Sequence, residues 1–141
     1  DTKLIFTSPN ADMDGKIIKK KIIKFVSENF KICKFYKSMG QLNYLSTLKY
    51  VDGVVGNSSS GITEVPSYKI GTINIGDRQK GRFRPGNVID TGNSTEEIVT
   101  GIKKALSSEF VQSVSSVINP HDKYGDGKNS YRVKTKLKNM K

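Results

Sequence analysis

Short apolar runs alternate along this chain with longer stretches in which apolar residues return every third or fourth position. The runs predict strands at Lys3–Thr7, Lys31–Tyr36, Gly53–Gly56, Thr72–Gly76 and Asn87–Thr91. Lys16–Asn29 carries Ile17, Ile18, Ile22, Phe25 and Val26 on one side and lysines on the other, the mark of an amphipathic helix. Gln41–Tyr50 has Leu42, Leu45 and Leu48 at helical spacing. Ile62–Tyr68 predicts a short helix, in which Pro66 fits only near the first turn or at a kink. Ser94–Leu106 predicts a helix with Ser94 or Thr95 as N-cap and Glu96 and Glu97 in its first turn. Phe110–Ile118 and Ser130–Asn139 complete the helices, separated by a Gly/Asp-rich loop at Asn119–Asn129.

Strands that alternate with helices predict βαβ units. The fold class is α/β, a Rossmann-like parallel sheet with helices on both faces. Residues 1–141 read as a single domain with a sizeable core. Ligands in such sheets sit beyond the carboxyl ends of strands. The loops Ser8–Gly15, Lys37–Gly40, Asn57–Gly61 and Gly76–Pro85 are therefore expected on one edge.

Composition narrows the function classes. Hydrophobic residues make up 35% and charged residues 26%, the balance of a folded chain. The net charge of +11 invites a nucleic-acid reading, but 20 of the 24 basic residues are lysines spread from Lys3 to Lys141. Neither zinc-finger spacing nor an aromatic RNA-binding signature accompanies them, so solvated lysine faces are the simpler reading and nucleic acid is not expected as a partner. No apolar run spans a bilayer, and no membrane partner is expected. Cys33 is the only cysteine and reads as a reduced core thiol, which fits the cytosol. Asp12, Asp14, Asp122 and Asp126 lack EF-hand spacing and its closing Glu, so no metal is expected; no cofactor is expected either. His121 is isolated and reads as a surface residue. The opening Asp1-Thr2-Lys3 leads straight into a strand, the look of a chain cut at a domain boundary.

The chemistry concentrates between Val54 and Arg84. Asn57, Ser58, Ser59, Ser60 and Gly61 stand between a strand end and a helix start, where backbone N–H groups are left unpaired and an anion is favoured. Ser58 and Ser59 offer hydroxyls, and Gly61 permits close backbone approach. Glu64 is expected in the first helical turn, where it either complements the helix dipole or accepts from vicinal ribose hydroxyls. Arg78, Arg82 and Arg84 are arginines in a lysine-dominated chain, and the planar guanidinium suits two-point pairing with phosphate. Arg78 and Arg82 are the stronger candidates. Asn10, after Pro9, is either a turn residue or a reader of a polar ligand edge. Donors for two phosphates and a carboxylate for a diol are what a sugar nucleotide needs.

These blocks carry a resemblance. GNSSSGITEVPS, INIGDRQKGR and NVID, with PNAD near the start and KYGDGKNSYRV near the end, are similar to blocks of the hydrolysing UDP-N-acetylglucosamine 2-epimerases of the bacterial sialic-acid-pathway type. The likeness covers nearly the whole chain and implies the C-terminal domain of a GT-B fold, with the N-terminal domain outside it. It implies that Ser58 and Ser59 bind the UDP diphosphate with backbone help from Ser60 and Gly61, that Glu64 binds the ribose hydroxyls, and that Arg78 pairs with phosphate or nearby sugar. Asn10 and the Met39 loop would border the nucleotide, and Arg82 belongs to the same block. Family members eliminate UDP across C1–C2 of the sugar and add water with inversion at C2, giving UDP and N-acetylmannosamine. The acid–base residues would come from outside this chain, so no catalytic residue is assigned within it. The partners implied are a UDP-sugar, the other domain and, at full length, a second copy in a homodimer. The chain alone is expected to bind UDP weakly and not to turn over. Two alternatives stay open: the nucleotide domain of a GT-B glycosyltransferase, and a non-enzymatic polyanion-binding module.

Overall fold

The computed structural model describes residues 2–9 and 14–140. It divides into two compact units, residues 1–46 and 47–141. Parallel strands flanked by helices make up both, so the α/β expectation holds.

The first unit holds a two-stranded parallel sheet. Strand β1, Leu4–Thr7, pairs with β2, Cys33–Tyr36, in the register Leu4↔Cys33 to Thr7↔Tyr36. Between them runs α1, Gly15–Glu28, which packs on β2, and after them comes α2, Gly40–Thr47. The Phe25 ring meets Phe6 of β1 edge to face, with centroids 6.0 Å apart. Cys33 is buried, as expected of a core thiol. Ile17, Ile18 and Phe25 are more exposed than their helical spacing suggests, and within the described residues the α1 stripe is only partly covered.

The second unit holds a three-stranded parallel sheet in the order β3 (Gly53–Gly56), β4 (Gly71–Ile75), β5 (Val88–Thr91). Gly53 pairs with Gly71 and Thr72 with Val88, so β4 is central and four of its five residues are buried. A strand buried on both faces reads as a continuous apolar run. Thr72 and Asn74 interrupt that run, and both are hydrogen-bonded.

Successive residues of β4 face opposite layers. On one side Thr72 meets α3, Ser60–Thr63; a Cβ at Gly61 would collide with the Thr72 methyl. On the other side lies α4, Thr95–Ala105, where a Cβ at Gly101 would stand 2.7 Å from Thr91 Cγ2 and 3.3 Å from Ile73 Cγ2. Glycine at these two positions lets helix backbone approach the sheet from both faces. Ile62, Val65, Ile73, Ala105 and Val114 fill the core between these layers. Helix α5, Ser108–Ser115, packs against α4 and β4. Helix α6, Asn129–Lys138, leaves Tyr131, Val133 and Leu137 exposed.

Ser94 is the N-cap of α4, one of the two residues expected. Its hydroxyl accepts from the Glu97 N–H at 3.2 Å and donates to Glu97 Oε2 at 2.7 Å, while the Ser94 N–H donates to the same oxygen. This reciprocal capping box holds the Glu97 carboxyl below its ordinary range, the Ser94 hydroxyl being the main cause. In the last loop the Arg132 guanidinium lowers the Asp126 carboxyl in the same way.

Candidate functional site

The strands of the second unit run parallel, so the segment after β3 and the segment after β4 leave the sheet at the same carboxyl rim. Their junction is the carbonyl of Asn57, the first residue after β3. Arg78 Nη1 donates to it at 3.0 Å and Gln79 Nε2 at 2.7 Å. The serine turn and the arginine loop are thus tied together. Arg78 is exposed, whereas Gln79 is only 2% exposed.

The serine turn folds on itself. The Ser60 N–H donates to Ser58 Oγ at 3.3 Å and the Gly61 N–H to the Ser58 carbonyl at 3.2 Å. This corrects the expectation of unpaired amides there: the amides of Ser60 and Gly61 are engaged within the turn. The Ser58 hydroxyl still has its own proton to donate. Ser58 is exposed, and Ser59 and Ser60 are half-buried.

Gly61 also differs from expectation. It is buried, and its missing side chain makes room for Thr72 of β4 rather than for a ligand. Its carbonyl accepts from Thr72 Oγ1 at 3.1 Å and Asn87 Nδ2 at 3.4 Å. The turn is therefore bolted to the central strand.

The expected helix at Ile62–Tyr68 is two pieces. Helix α3 ends at Thr63, and Val65–Tyr68 is a 3₁₀ turn with Pro66 in its first positions. An α-helix running through would need an N–H from residue 66 for the Ile62 carbonyl, and proline has none. Glu64 accordingly sits at the join, not in a first turn. A helix this short adds little dipole, so charged and hydroxyl side chains carry the electrostatics of the rim. Glu64 is exposed, and its Oε2 lies 2.5 Å from the Thr63 hydroxyl. That hydroxyl also lies 3.1 Å from the Ser59 carbonyl. It has one proton, and the charged carboxylate is the stronger acceptor.

The arginine loop is anchored at both ends. Gln79 holds its start, and Arg84 Nε pairs with Asp90 Oδ2 of β5 at 3.0 Å near its end. Asp90 Oδ1 accepts from the buried Asn74 Nδ2 at 2.7 Å, across a register pair of β4 and β5. Arg84 therefore works as an anchor, while Arg78, Lys80 and Arg82 are exposed along the loop.

Asn10 lies outside the described residues. Met39 belongs to the first unit, half-buried between the carboxyl end of β2 and the start of α2. His121 is exposed, as expected. Among the described residues no three of His, Cys, Asp and Glu gather to hold a metal ion, and no helix is long and apolar enough to cross a membrane.

Three buried amides matter that sequence reasoning missed. Gln79 is one. Asn87 reaches the Gly61 and Ile70 carbonyls and the Thr72 hydroxyl. Asn119 donates to the Thr63 carbonyl at 2.8 Å and to Ser67 Oγ at 2.7 Å, and its Oδ1 accepts from the His121 N–H. Ser67 in turn donates to Asp122 at 2.6 Å. This network fixes the join at which Glu64 stands. The dipeptide Asn119-Pro120 was the available signal, since Asn before Pro starts turns.

Comparison with known proteins gives this rim a context. The family model described as UDP-N-acetylglucosamine 2-epimerase matches residues 1–138. The chain is 42% identical over 129 residues to polysialic acid biosynthesis protein P7 of Escherichia coli, covering 92% of this chain and 32% of that protein. It is 40% identical over 112 residues to the GDP/UDP-N,N'-diacetylbacillosamine 2-epimerase (hydrolyzing) of Campylobacter jejuni, covering 79% and 29%. With the UDP-N,N'-diacetylbacillosamine 2-epimerase (hydrolyzing) of Legionella pneumophila it shares 31% over 138 residues, covering 98% and 34%. The chain thus spans about a third of the length of these relatives. On the extent of these matches, the chain belongs to the UDP-N-acetylglucosamine 2-epimerase family, with relatives of the hydrolysing kind.

Proposed function

We propose that this chain is the nucleotide-binding half of a hydrolysing UDP-N-acetylglucosamine 2-epimerase and takes UDP at the carboxyl rim of its three-stranded sheet. One observation carries the reading: Arg78 is held on the Asn57 carbonyl, directly beside the serine turn. Hydroxyl-bearing residues and a guanidinium then stand side by side at one rim, the groups that a diphosphate requires. In this reading Ser58 and Ser59 donate to the phosphates, with Ser60 and Gly61 shaping the turn. Arg78 and Arg82 supply positive charge, and Glu64 accepts from the ribose hydroxyls. Asn10 and Met39 keep the nucleotide-bordering role that the family resemblance implies for them.

In the complete enzyme, the C1–O bond to UDP and the C2–H bond break to leave a C1=C2 double bond. Water then adds across it, hydroxyl at C1 and proton at C2 from the opposite face, so that C2 is inverted. Departure builds negative charge on the terminal phosphate. A guanidinium already in place stabilises that charge without reorganising at the moment of reaction. The acid–base groups are assigned to the remainder of the enzyme, which works in the cytosol as a homodimer. The 141 residues alone bind UDP weakly and do not turn over. The substrate is a UDP-linked N-acetylated sugar. N-acetylglucosamine and N,N'-diacetylbacillosamine share the nucleotide that this rim would read.

Titration of UDP into the isotope-labelled chain tests the reading. Amide signals of residues 58–61 and the Arg78 side-chain signal should shift, and Glu64→Ala should abolish the response while the fold persists. Absence of a UDP-specific shift overturns it. Heparin or RNA binding that falls steeply with salt would instead favour the polyanion-binding module. Turnover of a UDP-sugar by these residues alone would overturn the placing of the acid–base groups elsewhere.

A further inference from the structure

The geometry points to Gln79 as a positioning residue that sets the spacing between the serine turn and Arg78. This inference rests on the reading of that turn and that arginine as the diphosphate site.

Two neighbouring side chains donate to one carbonyl oxygen, and they differ in every respect that governs mobility. Gln79 is 2% exposed, neutral, and bonded to Asn57 at 2.7 Å. Arg78 is exposed and charged, and bonded to Asn57 at 3.0 Å through one of its nitrogens. A carbonyl oxygen has two lone pairs, so both bonds form together. An exposed hydrogen bond is readily exchanged for one to water or to an anion. A phosphate competes for a guanidinium far better than a neutral carbonyl does.

The consequence is a division of labour. Arg78 rests on the Asn57 carbonyl and turns from it to the diphosphate. Gln79 stays, so the arginine loop remains tied to the turn while its guanidinium changes partner. The ion pair of Arg84 with Asp90 gives the loop a second, weaker tie at its other end. Gln79 touches no ligand in this account. It acts through Asn57 on the turn and through the adjoining backbone on Arg78.

Gln79→Met keeps the length of the side chain and removes its donor. In the chain without ligand, amide hydrogen exchange at Ser60, Gly61 and Ile62 should quicken severalfold in Gln79→Met and stay within about twofold of wild type in Arg78→Ala. Unchanged exchange in Gln79→Met, or equal effects of the two substitutions, overturns the inference whether or not UDP binds. Gln79→Glu guards against misfolding and supplies a pH signature. Its neutral acid can donate to the Asn57 carbonyl and its carboxylate cannot. The amide shifts of residues 58–61 should therefore move towards wild-type values as pH falls through the titration of the new carboxyl. A profile that tracks the wild type at every pH counts against the idea.

The ligand arm is a double-mutant cycle in UDP affinity. Arg78→Ala should weaken binding about threefold to tenfold less in the Gln79→Met background than in the wild type. Purely additive effects overturn the coupling. A wild-type chain that does not bind UDP refutes the functional reading, and the exchange arm still decides the role of Gln79.

Discussion

The Thr72 hydroxyl donates to the Gly61 carbonyl at 3.1 Å, and the Thr72 methyl fills the place where a side chain at residue 61 would stand. Hydroxyl and methyl thus join the serine turn to the central strand in two different ways. Gly61→Ala should destabilise the fold by about 1–3 kcal/mol through overpacking. Thr72→Ser removes the obstructing methyl and keeps the hydroxyl. The double variant should therefore unfold at a higher denaturant concentration than Gly61→Ala alone, and an equal or lower midpoint would contradict the packing argument.

Asn119 and Glu64 should separate stability from binding. Asn119→Ala leaves the Thr63 carbonyl without a buried donor and should cost about 1–3 kcal/mol. It should also weaken UDP binding, because the join that carries Glu64 loses its support. Glu64→Ala should weaken binding more and shift the unfolding midpoint less, since the side chain is exposed. Equilibrium denaturation and calorimetric titration of both variants check the pair.

Arg84 and Asp90 form one ion pair but should respond unequally. The pair is partly exposed, so Arg84→Met should cost less than about 1 kcal/mol. Asp90→Ala also strips the buried Asn74 amide of its closer acceptor, leaving only the Gly76 carbonyl at 3.5 Å, and should cost about 1–3 kcal/mol. Equal losses would mean that Asn74 finds another partner.

The capping box of α4 sets an acid response. Glu97 titrates lower when folded than when unfolded, chiefly because the Ser94 hydroxyl donates to it. Its contribution is therefore present in full above the unfolded carboxylate range and is lost as pH falls through the lowered folded value. The thermal midpoints of wild type and Glu97→Gln should differ at neutral pH and converge in acid. A gap that stayed constant with pH would exclude the carboxylate as its source.

The elements were legible because their signals are local. Gly53–Gly56 matches strand β3 residue for residue, and the cap was narrowed to Ser94 or Thr95 by the acidic first turn, with Ser94 taking the place. The serine turn and the arginine loop were legible as neighbours, because parallel strands deliver their following loops to one rim. Gln79, Asn87 and Asn119 were not. A polar side chain in a loop reads as solvated, and only the completed tertiary structure reveals that its amide is spent on distant carbonyls. Glu64 was misplaced within its segment because Pro66 divides the helix, an outcome that Pro66 had signalled without fixing the dividing residue.

The near approach of Gly61 and Gly101 to opposite sides of the middle of the sheet bears on how this rim can diversify. Added bulk at either glycine would push a helix backbone away from the sheet it now abuts. Under the proposed reading, variation at this rim falls to outward residues such as those at 80 and 82, over an anvil that stays the same.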